Sequence, residues 1–98
     1  MSILIEKLEF TAMAAIIDSN NIEYLGEIIF FHRKKAGISR MDLGMIAGVG
    51  KTVIYDIEHG KKTLKIKTLL KILKALNIRM YLDSPLMEHF KGSDYAKR

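Results

Sequence analysis

Gly48-Val49-Gly50-Lys51-Thr52-Val53-Ile54-Tyr55-Asp56-Ile57-Glu58-His59-Gly60 reads as a tight turn that opens into one short helix, which a further glycine stops. Ile54 and Ile57, three residues apart, point inward with Val49 of the turn beneath them. Lys51, Thr52, Tyr55 and Asp56 stay outside. A turn and helix of this kind can offer one polar face to a DNA groove, and the flanking sequence must then supply a base for it.

Upstream, Ser39-Arg40-Met41-Asp42 places a cap residue three positions before a carboxylate, which predicts a helix from Arg40 to about Ala47 with Leu43, Ile46 and Ala47 as its buried edge. Gly44 inside this helix is unfavourable by about 0.5–1 kcal/mol relative to alanine, so it is expected where another backbone comes close, here that of the next helix. Before it, a helix is predicted from about Glu23 to Ala36, capped by Asn20 or Asn21 and stopped by Gly37. Leu25, Ile28, Ile29 and Phe31 are its expected inner face, and Arg33, Lys34 and Lys35 suit its C-terminal dipole.

Downstream, Ile66, Leu69, Leu70, Leu73 and Leu76 mark one face of a core helix whose other face carries Lys65, Lys67, Lys71 and Lys74, with Asn77 suited to a left-handed end. The period then changes from helical to two in Ile78-Arg79-Met80-Tyr81-Leu82-Asp83, before Ser84-Pro85. This predicts a short strand that needs a partner, and a second copy of the chain is the favoured one. Ser2 to Phe10 reads as strand or helix, and Thr11 to Ile17 as a brief helix. The expected organisation is an N-terminal arm over residues 1–19, a helical domain over 20–77, a dimerisation strand over 78–83 and a frayed tail over 84–98. The fold class is all-α, with four to five helices and the short C-terminal strand.

The 98 residues include 49% apolar side chains, seven glycines and one proline, which suits one folded domain with one core. With no cysteine, disulfides and thiolate chemistry are excluded, and His32, His59 and His89 are not spaced as metal ligands. No cofactor is expected. No run approaches the ~18 apolar residues of a spanning helix, and no basic leader is visible, so a cytoplasmic protein is expected.

The net charge of +5 is concentrated in one segment. Residues 51–74 hold Lys51, Lys61, Lys62, Lys65, Lys67, Lys71 and Lys74 against Asp56 and Glu58, and so carry a net +5 alone. Such a concentration beside a candidate groove helix is the electrostatic pattern of a polyanion binder; the plainer reading is a solvated lysine face.

Ser39 to Leu43, Ala47-Gly48-Val49, Ile54, Ile57-Glu58-His59-Gly60 and Leu69 to Leu76 together resemble the Cro and repressor-type helix-turn-helix family, often called XRE-like, over roughly residues 24–78. The resemblance implies that the helix beginning near Gly50 enters the major groove. By position, Lys51, Thr52 and Tyr55 become contacts to bases or phosphates. Lys51 can bond guanine O6 and N7, and Thr52 can meet a thymine methyl. Asp56 either accepts from cytosine N4 or holds Lys51. Gly50 either lets a phosphate approach the backbone or simply starts the helix.

Ser39 and Arg40 match phosphate-gripping positions, although the family commonly has glutamine where Arg40 stands, and Lys61 and Lys62 extend the DNA-binding set. The resemblance also implies a structural ion pair between Arg33 and Glu58. Met45 and Ile46 depart from the polar residues usual in the family, and Val53 is apolar within a reading helix. Lys71 to Asp83 is similar to the end of HipB-type antitoxins, which implies a homodimer, autoregulation of an operon and a HipA-like kinase toxin as partner.

Four other readings compete. Gly48-Val49-Gly50-Lys51-Thr52 imitates the end of a phosphate-binding loop, but Met45 stands where its first glycine belongs and a helix precedes it instead of a strand. Ser39, Tyr55, Asp56 and His59 make no nucleophile and base pair, so an enzyme is not expected. The lysine-rich residues 61–76 could lie on an anionic membrane, but their apolar face is needed for the core. A protein-interaction module that neutralises a toxin or regulator, with weak or no DNA binding, is the main alternative to a sequence-specific repressor of palindromic operators.

Overall fold

Four α-helices carry the fold in the computed structural model, which describes residues 14–90: α1 (Tyr24–Ala36), α2 (Arg40–Ala47), α3 (Lys51–Glu58) and α4 (Ile66–Ala75). One 3-10 turn, Met87–His89, follows within the expected tail. Residues 1–13, with most of the expected arm, and residues 91–98 lie outside the described part. Ala14–Ile17, the described end of the helix expected over Thr11 to Ile17, is not helical. Local polar bonds account for this. The Asn21 side chain accepts from Asp18 N at 2.7 Å and donates to the Ile16 carbonyl at 3.0 Å, while Asp18 Oδ1 accepts from Asn20 N at 2.8 Å.

These bonds also remove Asn20 and Asn21 as caps of α1. Its N-cap is Glu23, without a side-chain bond, and the chain enters through a backbone turn in which Tyr24 N donates to Asn21 O. The buried stripe of α1 is Gly26, Ile29 and Arg33, with Leu25 packed at its margin. Phe31, expected inside, is exposed because two residues beyond Ile29 is a rotation of about 200° on a helix. At Gly26 an added Cβ would overlap the Ile57 carbonyl oxygen, so this glycine allows α1 to lie directly on the end of α3.

The capping box of α2 forms as its sequence predicts: Ser39 Oγ accepts from Asp42 N at 3.0 Å, and Ser39 N points to Asp42 Oδ2 at 3.5 Å. Gly44 is buried, and a Cβ there would sit 2.7 Å from the Val49 carbonyl oxygen. The close approach inferred from this glycine is therefore that of the turn rather than of the next helix's body. Gly48 adopts the left-handed conformation (φ 74°) and Val49 N returns to Gly44 O at 2.9 Å, fixing the short connection. Leu43 and Gly44 form the buried edge with Ala47 partly covered, whereas Ile46, expected inside, is left exposed on the flank.

α2 packs against both α3 and α4, and α1 packs against α3. Between them lies one core of Ile29, Leu43, Ile54, Ile57, Leu69, Ile72 and Leu73, with Val49, Val53, Leu64, Leu76 and Ile78 at its rim. At about 1.5–3 kcal/mol for each fully buried aliphatic side chain, so small a core leaves every member important. In α4 the buried stripe is Leu69, Ile72 and Leu73; Ile66 and Leu70, expected on that face, are exposed. Asn77 takes the left-handed conformation foreseen for it (φ 61°), and Ile78 N closes back on Leu73 O at 2.8 Å.

No strand forms among the described residues. Residues 78–84 follow α4 without ladder hydrogen bonds, because the described part of a single chain offers no free strand edge to pair with. The period-two pattern is present in the sequence, but the strand expected over 78–83 is not formed.

Candidate nucleic-acid interface

α3 is held from below by Ile54 and Ile57, both buried, and by Val53, which is half-buried against the core. Val53 is therefore a packing residue and does not interrupt the polar face. Gly50 is the N-cap, with extended dihedrals (φ −74°, ψ 151°) that any residue adopts, and no atom lies within 4 Å of the point where a Cβ would stand. Its glycine identity meets no demand of the fold itself. Lys51 and Thr52 occupy the exposed first turn, and Tyr55 is half exposed one turn later. Neither Lys51, Thr52 nor Lys62 has a side-chain hydrogen bond or ion pair among the described residues.

Asp56 does not hold Lys51. Its Oδ2 lies 4.0 Å from Lys61 Nζ, and Lys61 N donates to the Asp56 carbonyl at 2.9 Å, so Asp56 fixes the chain that leaves α3. Ser39 is committed through its oxygen to the α2 cap, yet its hydroxyl proton is still available to an acceptor outside.

Beside α3, three helices meet at one carboxylate. The Glu58 side chain is 1% exposed, and Arg33 of α1 bonds it through two nitrogens, Nε to Oε2 at 2.6 Å and Nη2 to Oε1 at 3.0 Å. Arg33 Nη1 also donates to Ile38 O at 2.9 Å. Hydrogen bonding to Glu58, assisted by its charge and opposed by burial, holds the Arg33 guanidinium above the usual arginine range. The ion pair implied by resemblance is therefore present, and it is bidentate and buried.

The same carboxylate engages a second arginine. Arg40 Nε of α2 donates to Glu58 Oε1 at 2.9 Å, and the Arg40 guanidinium lies 5.2 Å from the centre of the Tyr55 ring. Tyr55 in turn stacks on His59, with ring centres 3.8 Å apart, and His59 Nδ1 approaches the Tyr55 carbonyl at 2.7 Å. Nothing in the sequence pattern joins Arg40 to Glu58 or gives His59 a role. The i, i+4 spacing of Tyr55 and His59 is the one signal that could have revealed the stack. Ser39, Arg40, Gly50, Lys51, Thr52, Tyr55, Asp56, Lys61 and Lys62 thus fall at the start of α2, along α3 and just beyond it.

The helix-turn-helix family HTH_3 matches residues 32–82, just over half of the chain and including α2, the turn and α3. The chain belongs to the helix-turn-helix family. This is the Cro/repressor type expected from the sequence, whereas a specific closeness to HipB-type antitoxins finds no confirmation. The helix-turn-helix chain is also similar to a Sinorhizobium fredii protein named "uncharacterized HTH-type transcriptional regulator y4mF", with 31% identity over 61 residues covering 62% of this chain and 80% of the relative. No helix of the described part is long and apolar enough to cross a membrane.

Proposed function

We propose that the protein is a transcriptional repressor that binds palindromic operator DNA as a homodimer. Family membership and the relative's name support the coarser statement, a DNA-binding transcriptional regulator. The observation that supports DNA reading by this chain is α3 itself: it is anchored by Ile54 and Ile57, exposes Lys51 and Thr52 at its first turn, and is followed by the exposed Lys61 and Lys62.

In this reading Lys51 and Thr52 meet base edges in the major groove, while Ser39, Arg40, Lys61 and Lys62 meet phosphates. Gly50 gives room for the DNA backbone, a use suggested by the absence of any internal reason for glycine there. Tyr55 faces the same groove, and Asp56 shapes the exit through Lys61. Two copies would present their α3 helices to successive major grooves about 34 Å apart. Residues 78–83, with exposed Met80, Tyr81 and Leu82, are the segment proposed to pair between copies.

Titration with duplex DNA from upstream of the protein's own reading frame tests the central reading: binding at low salt that falls steeply as salt is raised supports it, and no binding at low salt refutes it. A monomeric mass in solution with residues 78–82 intact refutes the paired strand. A second reading, a protein-interaction module or antitoxin with a HipA-like kinase toxin as partner, is favoured by Met41, Met45 and Ile46, which stand exposed together on α2. A kinase-like gene beside this one and a stable complex of the two purified products would support it.

A further inference from the structure

Arg40 is held in an unusual way for a surface cation. Its Nε is bonded to Glu58 Oε1 at 2.9 Å, its guanidinium lies over the Tyr55 ring at 5.2 Å, and its side chain remains 34% exposed. Both Nη groups are without an intramolecular partner among the described residues. The guanidinium is thus fixed along one edge and one face, and its two outer nitrogens are left to a ligand. A planar fork with two free nitrogens matches two oxygens of a phosphate.

The charges of the cluster point the same way. Arg33 and Arg40 share the single carboxylate of Glu58, so the three groups carry a net positive charge, and Glu58, bonded twice by Arg33 and once by Arg40 Nε, makes no use of the outer Arg40 nitrogens. Glu27, the other carboxylate lining the shallow cleft with Phe30, Arg40, Glu58 and His59, makes no ion pair with Arg40. One anion at the Arg40 fork would neutralise the Arg33–Glu58–Arg40 group.

On these grounds, and resting on the DNA-binding reading above, we infer that Arg40 is a pre-oriented phosphate fork, with Glu58 and the Tyr55 ring as positioning residues that set its direction before DNA arrives. The entropy of ordering a long arginine side chain is then met on folding rather than on binding. Tyr55 accordingly serves through its ring, held between Arg40 and His59 contacts, and not through a base contact made by its hydroxyl. Glu58 couples this surface to the scaffold, because the carboxylate that aims Arg40 is the one that ties α1 to α3.

The test is fluorescence anisotropy with a labelled duplex of mixed sequence, measured across a range of salt concentrations, with thermal unfolding recorded for each variant. Arg40→Ala leaves the bidentate Arg33–Glu58 pair and should stay folded. Its salt slope should fall by about 0.9, so that its deficit relative to wild type shrinks about threefold between roughly 50 and 200 mM salt. Arg40→Lys should keep the slope and still bind more weakly, since a point charge replaces the fork. Tyr55→Phe, which keeps the ring, should lose clearly less affinity than Tyr55→Leu, whose effect should disappear in an Arg40→Ala background. An unchanged slope in Arg40→Ala, wild-type affinity in Arg40→Lys, or an equal loss in Tyr55→Phe and Tyr55→Leu would each overturn the inference. Absence of binding by the wild-type protein would instead refute the DNA-binding reading on which it rests.

Discussion

Gly26→Ala isolates the contact that seats the reading helix on the rest of the domain. The added Cβ would overlap the Ile57 carbonyl oxygen and would meet Ile57 C at 3.0 Å and Glu58 Cα at 3.3 Å. All three are backbone atoms, so no rotamer change can make room, and α1 must move away from α3. Two effects oppose each other. Alanine is a better helix former than glycine by about 1 kcal/mol, whereas overpacking in a tight interface typically costs about 1–3 kcal/mol. The displacement also strains the Arg33–Glu58 pair, whose Nε–Oε2 distance is 2.6 Å and which spans these same two helices. Loss of good geometry in a buried ion pair brings the balance to a net destabilisation of about 2 kcal/mol. For a domain of this size that is a fall in Tm of roughly 8–16 °C. Circular dichroism at 222 nm during thermal unfolding measures it. An unchanged or raised Tm would mean that propensity outweighs packing and that the α1–α3 contact is looser than described.

Glu58→Ala leaves Arg33 buried without its carboxylate and should destabilise by about 3–5 kcal/mol in chemical denaturation, more than Ser39→Ala, where loss of the cap costs about 1 kcal/mol; equal effects would refute the rank given to the buried pair. Because the Arg33 pKa is raised on folding, the stability it contributes is fully present below the ordinary arginine range and is lost only as pH rises through the still higher folded value. Denaturation at neutral and mildly alkaline pH should therefore show no loss from this group. Gly50→Ala, with no neighbour to strike, should leave stability within about 0.5 kcal/mol of wild type and weaken DNA binding; wild-type affinity would remove Gly50 from the interface. Lys51→Ala should weaken specific binding by about 1–3 kcal/mol, and an equal loss on every DNA sequence would reassign Lys51 from a base to a phosphate.

The elements that the sequence discloses best are those controlled by neighbours along the chain. Ser39 and Asp42 form their cap, Gly37 and Asn77 take their left-handed conformations, and Gly44 marks a close backbone approach, because each is a matter of a few consecutive residues. What depends on partners distant in sequence is less visible. Phe31, Ile46, Ile66 and Leu70 are apolar at plausible helical positions, yet the faces that meet the core are set by Gly26, Ile29 and Arg33 on α1 and by Leu69, Ile72 and Leu73 on α4. The strand over 78–83 is not formed within one chain for a related reason, since its period is local but its expected hydrogen-bond partners lie on a second copy. In the candidate site, the exposure of Lys51 and Thr52 follows from helical phase alone. The sharing of Glu58 by Arg33 and Arg40 joins residues 25 and 18 positions apart, and periodicity carries no trace of it.

The brevity of α3 limits how much one copy of this chain can read. Its eight residues extend about 12 Å, the length of roughly three to four stacked base pairs. A word of four base pairs recurs by chance about once in 256 positions, far too often to single out one promoter in a genome. The information needed to find one address must therefore come from elsewhere; in the dimer proposed above, a repeated word at fixed spacing, read by two identical short helices, would square that frequency without lengthening either helix.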